Sequence, residues 1–255
     1  MPARSLTAID ARNSRWGRIT IERSARTGAV NYRQGGYYQS RADRNGVSLL
    51  TYIHAMFGLI RQRRAQSALL IGCAGGSLAT MLAREGCAVT AVDINPQAFD
   101  LARRYFGLPD EVDCRPEDGA EFLFSGRRKF DAIVHDAFHG PDTPEHLLSE
   151  AFFSQAQKRL TPKGALFINV HVANDRDNSA REMAVRLAAV WREVRILDLP
   201  RRKYRNAVVM AGSVRSLKRP KLLMTPALDA NAIADELSAM RFVLLRGRAG
   251  AVRKA

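Results

Sequence analysis

Apolar residues recur along this chain with two periods, and the points where the period changes mark out its elements. Between residues 17 and 40 polar and apolar positions alternate, with Gly28 and Gly35-Gly36 as turn points, which predicts short antiparallel strands. From Asn45-Gly46 to about Arg64 the period becomes helical, with Leu49, Tyr52, Ile53, Met56, Phe57 and Ile60 on one stripe. Apolar runs and helical stretches then alternate. Strands are expected at 67–72, 88–93, 111–115, 131–135, 164–171, 194–199 and 206–212, and helices at 75–86, 96–107, 118–126, 145–160 and 178–192. Pro96 opens its helix where a missing N–H is harmless, and Thr161-Pro162-Lys163-Gly164 punctuates the gap before a strand. Such alternation predicts an α/β fold, a doubly wound, mostly parallel sheet preceded by a small N-terminal antiparallel β region. The expected division is 1–45 for that β region, 46–215 for a nucleoside-binding domain, and 216–255 for a basic linker and helical tail. The tail, with a helix near 228–240 and the apolar run Phe242-Val243-Leu244-Leu245, is expected to lie outside the main pattern.

Candidate chemistry concentrates after the first strands of the alternating region. Ala-Leu-Leu-Ile-Gly-Cys-Ala-Gly-Gly at 68–76 is an apolar strand entering a glycine turn, and Ala-Val-Thr-Ala-Val-Asp at 88–93 is a second strand ending in a carboxylate. Glycines let backbone approach a ligand closely, and an acid about 20 residues on can accept both hydroxyls of a ribose. The turn Gly72-Cys73-Ala74-Gly75-Gly76-Ser77 departs from a dinucleotide fingerprint at Ala74 and Ser77, which weakens nicotinamide and flavin readings; no Walker loop is present. Three aspartates follow successive strands: Asp93, Asp118 within Glu117-Asp118-Gly119, and Asp136 within His135-Asp136-Ala137-Phe138-His139-Gly140. Each follows a carboxyl end of the sheet, so all face one crevice. Asp93 can take the ribose, Asp118 can accept from an exocyclic adenine amine, and Asp136 lies where a reacting group is held. A lone aspartate there would more simply be a helix cap. His135, at the inward end of a buried strand, reads as core; His171 stays open between core and site.

Composition narrows the class. An apolar fraction of 46% fits an ordinary globular protein, and no apolar run reaches the length of about 18 residues that a membrane span needs. The N-terminus lacks the apolar core of a secretory signal. Cys73, Cys87 and Cys114 form no Cys-x-x-Cys pair and read as small core residues in a reduced compartment, so no metal and a cytoplasmic location are expected. Forty Lys and Arg against 25 Asp and Glu give a formal charge of +15. Eight basic residues and no acidic one fall between 201 and 221, which admits a nucleic-acid partner, although no aromatic residues interleave as a stacking platform.

With these residues in view the chain resembles, over about residues 17–213, the spermidine synthase family, polyamine aminopropyltransferases on the S-adenosylmethionine-dependent, class I methyltransferase fold. Gly36-Tyr37-Tyr38-Gln39 is similar to that family's Gly-x-x-Gln, which makes Gln39 a nucleoside contact. Residues 72–77 stand at its glycine turn, implying Gly72, Gly75 and Gly76 as cofactor contacts. Asp93 and Ile94 match its ribose acid and the residue after it, Asp118-Gly119 its adenine-reading pair, Asp136 its proton acceptor, and Tyr52 a tyrosine that closes the substrate pocket. The resemblance implies decarboxylated S-adenosylmethionine or S-adenosylmethionine as co-substrate, a small-molecule amine as acceptor, no membrane, and it admits a homodimer.

Departures from the family pattern bear on the acceptor. The family's donor-gripping aspartate is replaced by Gly75, a second acid after the catalytic aspartate by His139, and a glutamate near Tyr52 by His54. His54 and His139 therefore become the substrate-binding candidates. A close ion pair is worth about 4 kcal/mol at an effective dielectric of 20, before desolvation. Losing three such partners argues for altered acceptor specificity. A methyltransferase using intact S-adenosylmethionine, on an anionic or nucleic-acid substrate, is the alternative, since Gly75 is expected to leave room for the methionine carboxylate. A nucleoside-binding module without catalysis is a third.

Overall fold

The computed structural model describes residues 6–138, 140 and 142–243. His139, together with Leu244 and Leu245 of the terminal apolar run, lies outside the described residues. Four strands, β1 (Leu6–Arg12), β2 (Ile19–Ser24), β3 (Val30–Gln34) and β4 (Tyr37–Ala42), pair antiparallel in chain order. Alternation in β2 and β3 turns Ile19, Ile21, Val30 and Tyr32 onto one buried face. That face packs against Leu101 and Phe106 and so fixes the small sheet beside the main domain. β1 was not expected. Its side chains are mostly exposed, so the chain there carries little burial signal.

The larger sheet has eight strands in the order β12-β10-β11-β9-β8-β5-β6-β7. β5 (Ser67–Ile71), β6 (Ala88–Val92), β7 (Asp113–Arg115), β8 (Phe130–His135) and β9 (Leu160–Val172) run parallel. β10 (Val194–Asp198) and β11 (Arg205–Gly212) pair antiparallel, β11 inserting beside β9, and β12 (Arg241–Val243) pairs antiparallel with β10. Strand order reverses between β5 and β8, the switch point at which open α/β sheets hold ligands. The connecting helices are α1 (Thr51–Gln62), α2 (Ser77–Arg84), α3 (Gln97–Phe106), α4 (Gly119–Ser125), α5 (Glu150–Lys158), α6 (Ser179–Ala188) and α7 (Ala230–Ala239). They cover both faces: side chains of α1, α2, α3 and α7 join one buried cluster, and those of α4, α5 and α6 join the other.

Several boundaries differ from the sequence expectation, each for a local reason. Helix α1 starts at Thr51 rather than Asn45, because the Asp43 carboxylate accepts from the N–H groups of Asn45 (2.8 Å) and Val47 (3.0 Å) and holds a turn there. The helix expected at 145–160 is divided into a 3₁₀ turn, Glu145–Leu148, and α5, whose first turn is capped by Ser149 Oγ accepting from Phe152 N–H. β9 begins four residues early and passes through Pro162, with a register shift opposite Phe130 and Ala132. The tail does not lie outside the pattern. Ile233 and Leu237 of α7 are buried in the main core, and β12 extends the sheet edge.

Candidate active site

The glycine turn after β5 is shaped by what presses on it. At Gly72 (φ +93°) an added Cβ would lie 2.3 Å from the Asp136 carbonyl oxygen, so only glycine lets the end of β5 meet the loop after β8. Asp136 N–H in turn donates to the Ile71 carbonyl at 2.8 Å. From the other side the Asp93 carboxylate clasps the turn, accepting from Cys73 N–H at 2.8 Å and Ala74 N–H at 3.3 Å, and from Asn95 N–H at 2.8 Å. Burial pushes the Asp93 pKa up, opposed by those backbone donors. A carboxylate has about four acceptor sites, and with three taken Asp93 can hold the turn and still receive a hydroxyl on Oδ1.

Asp118 caps α4, accepting from Ala120 N–H at 2.8 Å and Glu121 N–H at 3.2 Å. Its second oxygen meets His146 Nε2 at 2.9 Å. Burial alone would raise the Asp118 pKa; the His146 hydrogen bond and the helix N–H groups outweigh it and hold the pKa below the usual value. Gly119 follows because a Cβ there would come within 2.3 Å of Ile71 Cγ2.

These groups surround a cleft of about 480 Å³ lined by Gln39, Gly72, Asp93, Ile94, Asp118, Gly119 and Asp136. Ile94 is 42% exposed, an apolar ledge at its edge. A smaller cavity of about 130 Å³ opens beyond Asp136 and is lined by Tyr52, Asn169, His171 and Asn206, with Gly76 on the turn side. Gln39, Gly72 and Asp136 border both spaces. Asp136 is thus the carboxylate at their junction. Its Oδ2 accepts from the Tyr52 hydroxyl at 3.2 Å and its Oδ1 from Asn169 Nδ2 at 2.7 Å. Burial raises its pKa to about 6 despite both donors. Burial and the neighbouring Asp136 charge push the Tyr52 pKa well up, so the phenol keeps its proton and donates.

Two expectations are corrected. Gly75 does not face either cavity: its N–H donates to Ser40 Oγ at 3.0 Å, and a Cβ there would meet Ser40 and Phe106 at 2.8 and 2.9 Å. The space it was expected to free for a cofactor carboxylate is filled by the N-terminal sheet and α3. His54 is not a substrate group either. It is 1% exposed, and its Nε2 donates to the Ser48 carbonyl at 2.7 Å; burial lowers its pKa, so it stays neutral. Its task is to anchor α1 to the segment before it. His135 is core, as expected, edge-on to Phe152, while His171 lies in the smaller cavity, stacked on Phe138 with centroids 4.3 Å apart. Cys73 borders both cavities rather than the core alone, as a thiol kept protonated by burial.

Sequence reasoning missed Trp16, His146, Asn169 and Asn206. Trp16, between β1 and β2, and His146, on the 3₁₀ turn, reach the larger cleft from remote positions without a local pattern. Asn169 did carry a signal. A single amide inside the apolar run Leu166-Phe167-Ile168-Asn169-Val170 must find a buried partner, and that partner is Asp136. Among the described residues no group of three or more His, Cys, Asp or Glu could hold a metal ion, and no helix is long and apolar enough to cross a membrane.

Fold and site together define a doubly wound α/β domain with carboxylates from successive strand ends around one cleft. A family model described as a methyltransferase domain matches residues 68–164. A polyamine aminopropyltransferase of Chromobacterium violaceum is 36% identical over 195 residues, which cover 74% of this chain and 71% of that protein. The chain belongs to the polyamine aminopropyltransferase family. A crystal structure of a probable spermidine synthase from Corynebacterium glutamicum shares the fold with a TM-score of 0.75, covering 91% of this chain and 89% of that one at 18% identity. A spermidine synthase solved with the transition-state analogue AdoDATO gives a TM-score of 0.69 at 17% identity, over 91% of this chain and 84% of that one.

Proposed function

We propose that this protein transfers an aminopropyl group from decarboxylated S-adenosylmethionine to an amine that differs from the family's usual diamine. The carrying observation is Asp136, one carboxylate bordering both the nucleoside-sized cleft and the smaller cavity, with a pKa raised to about 6. Asp93 and Asp118 would take the ribose and adenine edges, with Ile94 against the base. An amine in the smaller cavity attacks the carbon next to the sulfonium: its lone pair forms the C–N bond, the C–S bond breaks, and its proton passes to Asp136. Tyr52 and Asn169 hold that carboxylate by both oxygens, and the two walls of the junction set the in-line approach. The electron pair of the broken C–S bond stays on sulfur, so the donor's sulfonium leaves as the neutral thioether methylthioadenosine.

Methyl transfer from intact S-adenosylmethionine is the second reading, favoured by the methyltransferase-domain match over residues 68–164. Calorimetric titration separates them. Tighter binding of the decarboxylated donor, with methylthioadenosine released when amines are added, supports aminopropyl transfer. Tighter binding of S-adenosylmethionine, with adenosylhomocysteine as product, replaces it with the second reading.

A further inference from the structure

The polarity of one buried hydrogen-bond chain says what the smaller cavity reads at its far end. Asn169 is 2% exposed, and both ends of its amide are engaged. An ionised carboxylate only accepts, so Asn169 must turn its Nδ2 toward Asp136 Oδ1, at 2.7 Å. That leaves Asn169 Oδ1 facing Asn206, which must then donate, and Asn206 Nδ2 lies 2.9 Å away. The orientation propagates one step further. With its Nδ2 committed, Asn206 presents its Oδ1 to the space around it, and among the described residues no donor reaches that oxygen. Asn206 borders both the smaller cavity and an outer chamber of about 300 Å³, so this carbonyl stands where the tail of an acceptor would pass.

Most of the charged groups nearby are already engaged. Asp136 is the one carboxylate among the described residues lining the smaller cavity. In the outer chamber Glu236 pairs with Arg202 at 2.9 Å and receives the Thr51 hydroxyl. Arg205 is held by Asp198 at 2.7 Å and Asp175 at 3.1 Å, and Asp229 stands at an exposed edge. A second ammonium beside Asn206 would be desolvated against neutral oxygens and arginines, since Asp229, the one carboxylate of the outer chamber without an ion pair among the described residues, lies at its exposed edge; such burial is unfavourable without a paired charge.

Resting on the aminopropyl-transfer reading, we propose that Asn206 is a specificity-determining residue: its Oδ1 accepts a hydrogen bond from an uncharged O–H or N–H at the far end of the acceptor. The preferred substrate is then an amine with a neutral hydrogen-bonding tail, such as an amino alcohol, over an α,ω-diamine. The hydrogen bond is worth about tenfold in kcat/KM.

The test measures methylthioadenosine release from decarboxylated S-adenosylmethionine with 4-amino-1-butanol, n-butylamine and 1,4-diaminobutane. The wild type should use the amino alcohol about tenfold better than either of the others. In Asn206→Leu the advantage of the amino alcohol over butylamine should vanish through KM, while the melting shift produced by methylthioadenosine stays unchanged. A merely structural role would instead lower both acceptors equally and leave their ratio intact, which overturns the proposal. Diamine preference in the wild type also overturns it, with aminopropyl transfer still standing. Release from no amine at all sinks both readings.

Discussion

In the proposed transfer Asp136 faces opposed demands: to take a proton it must be ionised, yet it is buried, and burial favours its neutral form. Its pKa of about 6 is the compromise, reached with two donors on the ionised oxygens. The rate should therefore fall as pH drops through about 6, seen as an acid limb in kcat/KM. The stability consequence has the opposite sign. Because the folded pKa lies above the ordinary 3.8, this group favours folding most below about pH 4, and that contribution is lost as pH rises through about 6. Asp136→Asn should abolish transfer and melt higher than the wild type at pH 8, by on the order of 1–3 kcal/mol. Melting curves of the two proteins should converge near pH 4. A lower-melting variant at pH 8 would show that the carboxylate organises the junction more than its burial penalises it.

Elements in this protein meet at points where one side chain ties several together. Arg205, at the start of β11, reaches Asp198 at the end of β10 through two hydrogen bonds of 2.7 and 2.8 Å, and it also pairs with Asp175 in the loop after β9. The ion partners raise the Arg205 pKa against the opposing effect of burial. Breaking such a pair strands a buried charge, which costs about 3–5 kcal/mol. Arg205→Leu should lower the unfolding free energy measured by denaturant titration by that much, whereas the double variant with Asp198→Leu should recover most of the loss. β12 pairs with β10 through Asp198 and its neighbours, so the sheet edge should lose amide protection along with the ion pair.

At the scale of the whole molecule the dominant quantity is the charge of +15. Self-repulsion of that size opposes the compact state and is screened within about 10 Å at 0.1 M salt. Raising sodium chloride from about 0.05 to 0.5 M should therefore increase the melting temperature by several degrees. A melting temperature indifferent to salt would mean that the charges are already paired locally. Mutual screening of arginines by acids is visible in several ion pairs, including Arg12 with Asp100 and Arg61 with Glu85.

Period and punctuation alone gave the alternating strands and helices, the glycine turn and the three strand-end aspartates, because backbone geometry imposes those patterns within a few residues of each other. The same local logic singled out Gly72, Asp93, Asp118 and Asp136, and the family resemblance added Gln39 and Gly119; all six line the larger cleft. Contacts between remote segments decided the rest. Ser40 and Phe106 pack against Gly75 and keep it from any ligand, and the Ser48 carbonyl holds His54 away from the substrate cavity. Trp16 and His146 reach the cleft, and Asn169 and Asn206 the smaller cavity, only because the chain returns to the same strand ends from far away. Which way a side chain faces, and what neutralises it there, depends on neighbours that no sequence window contains.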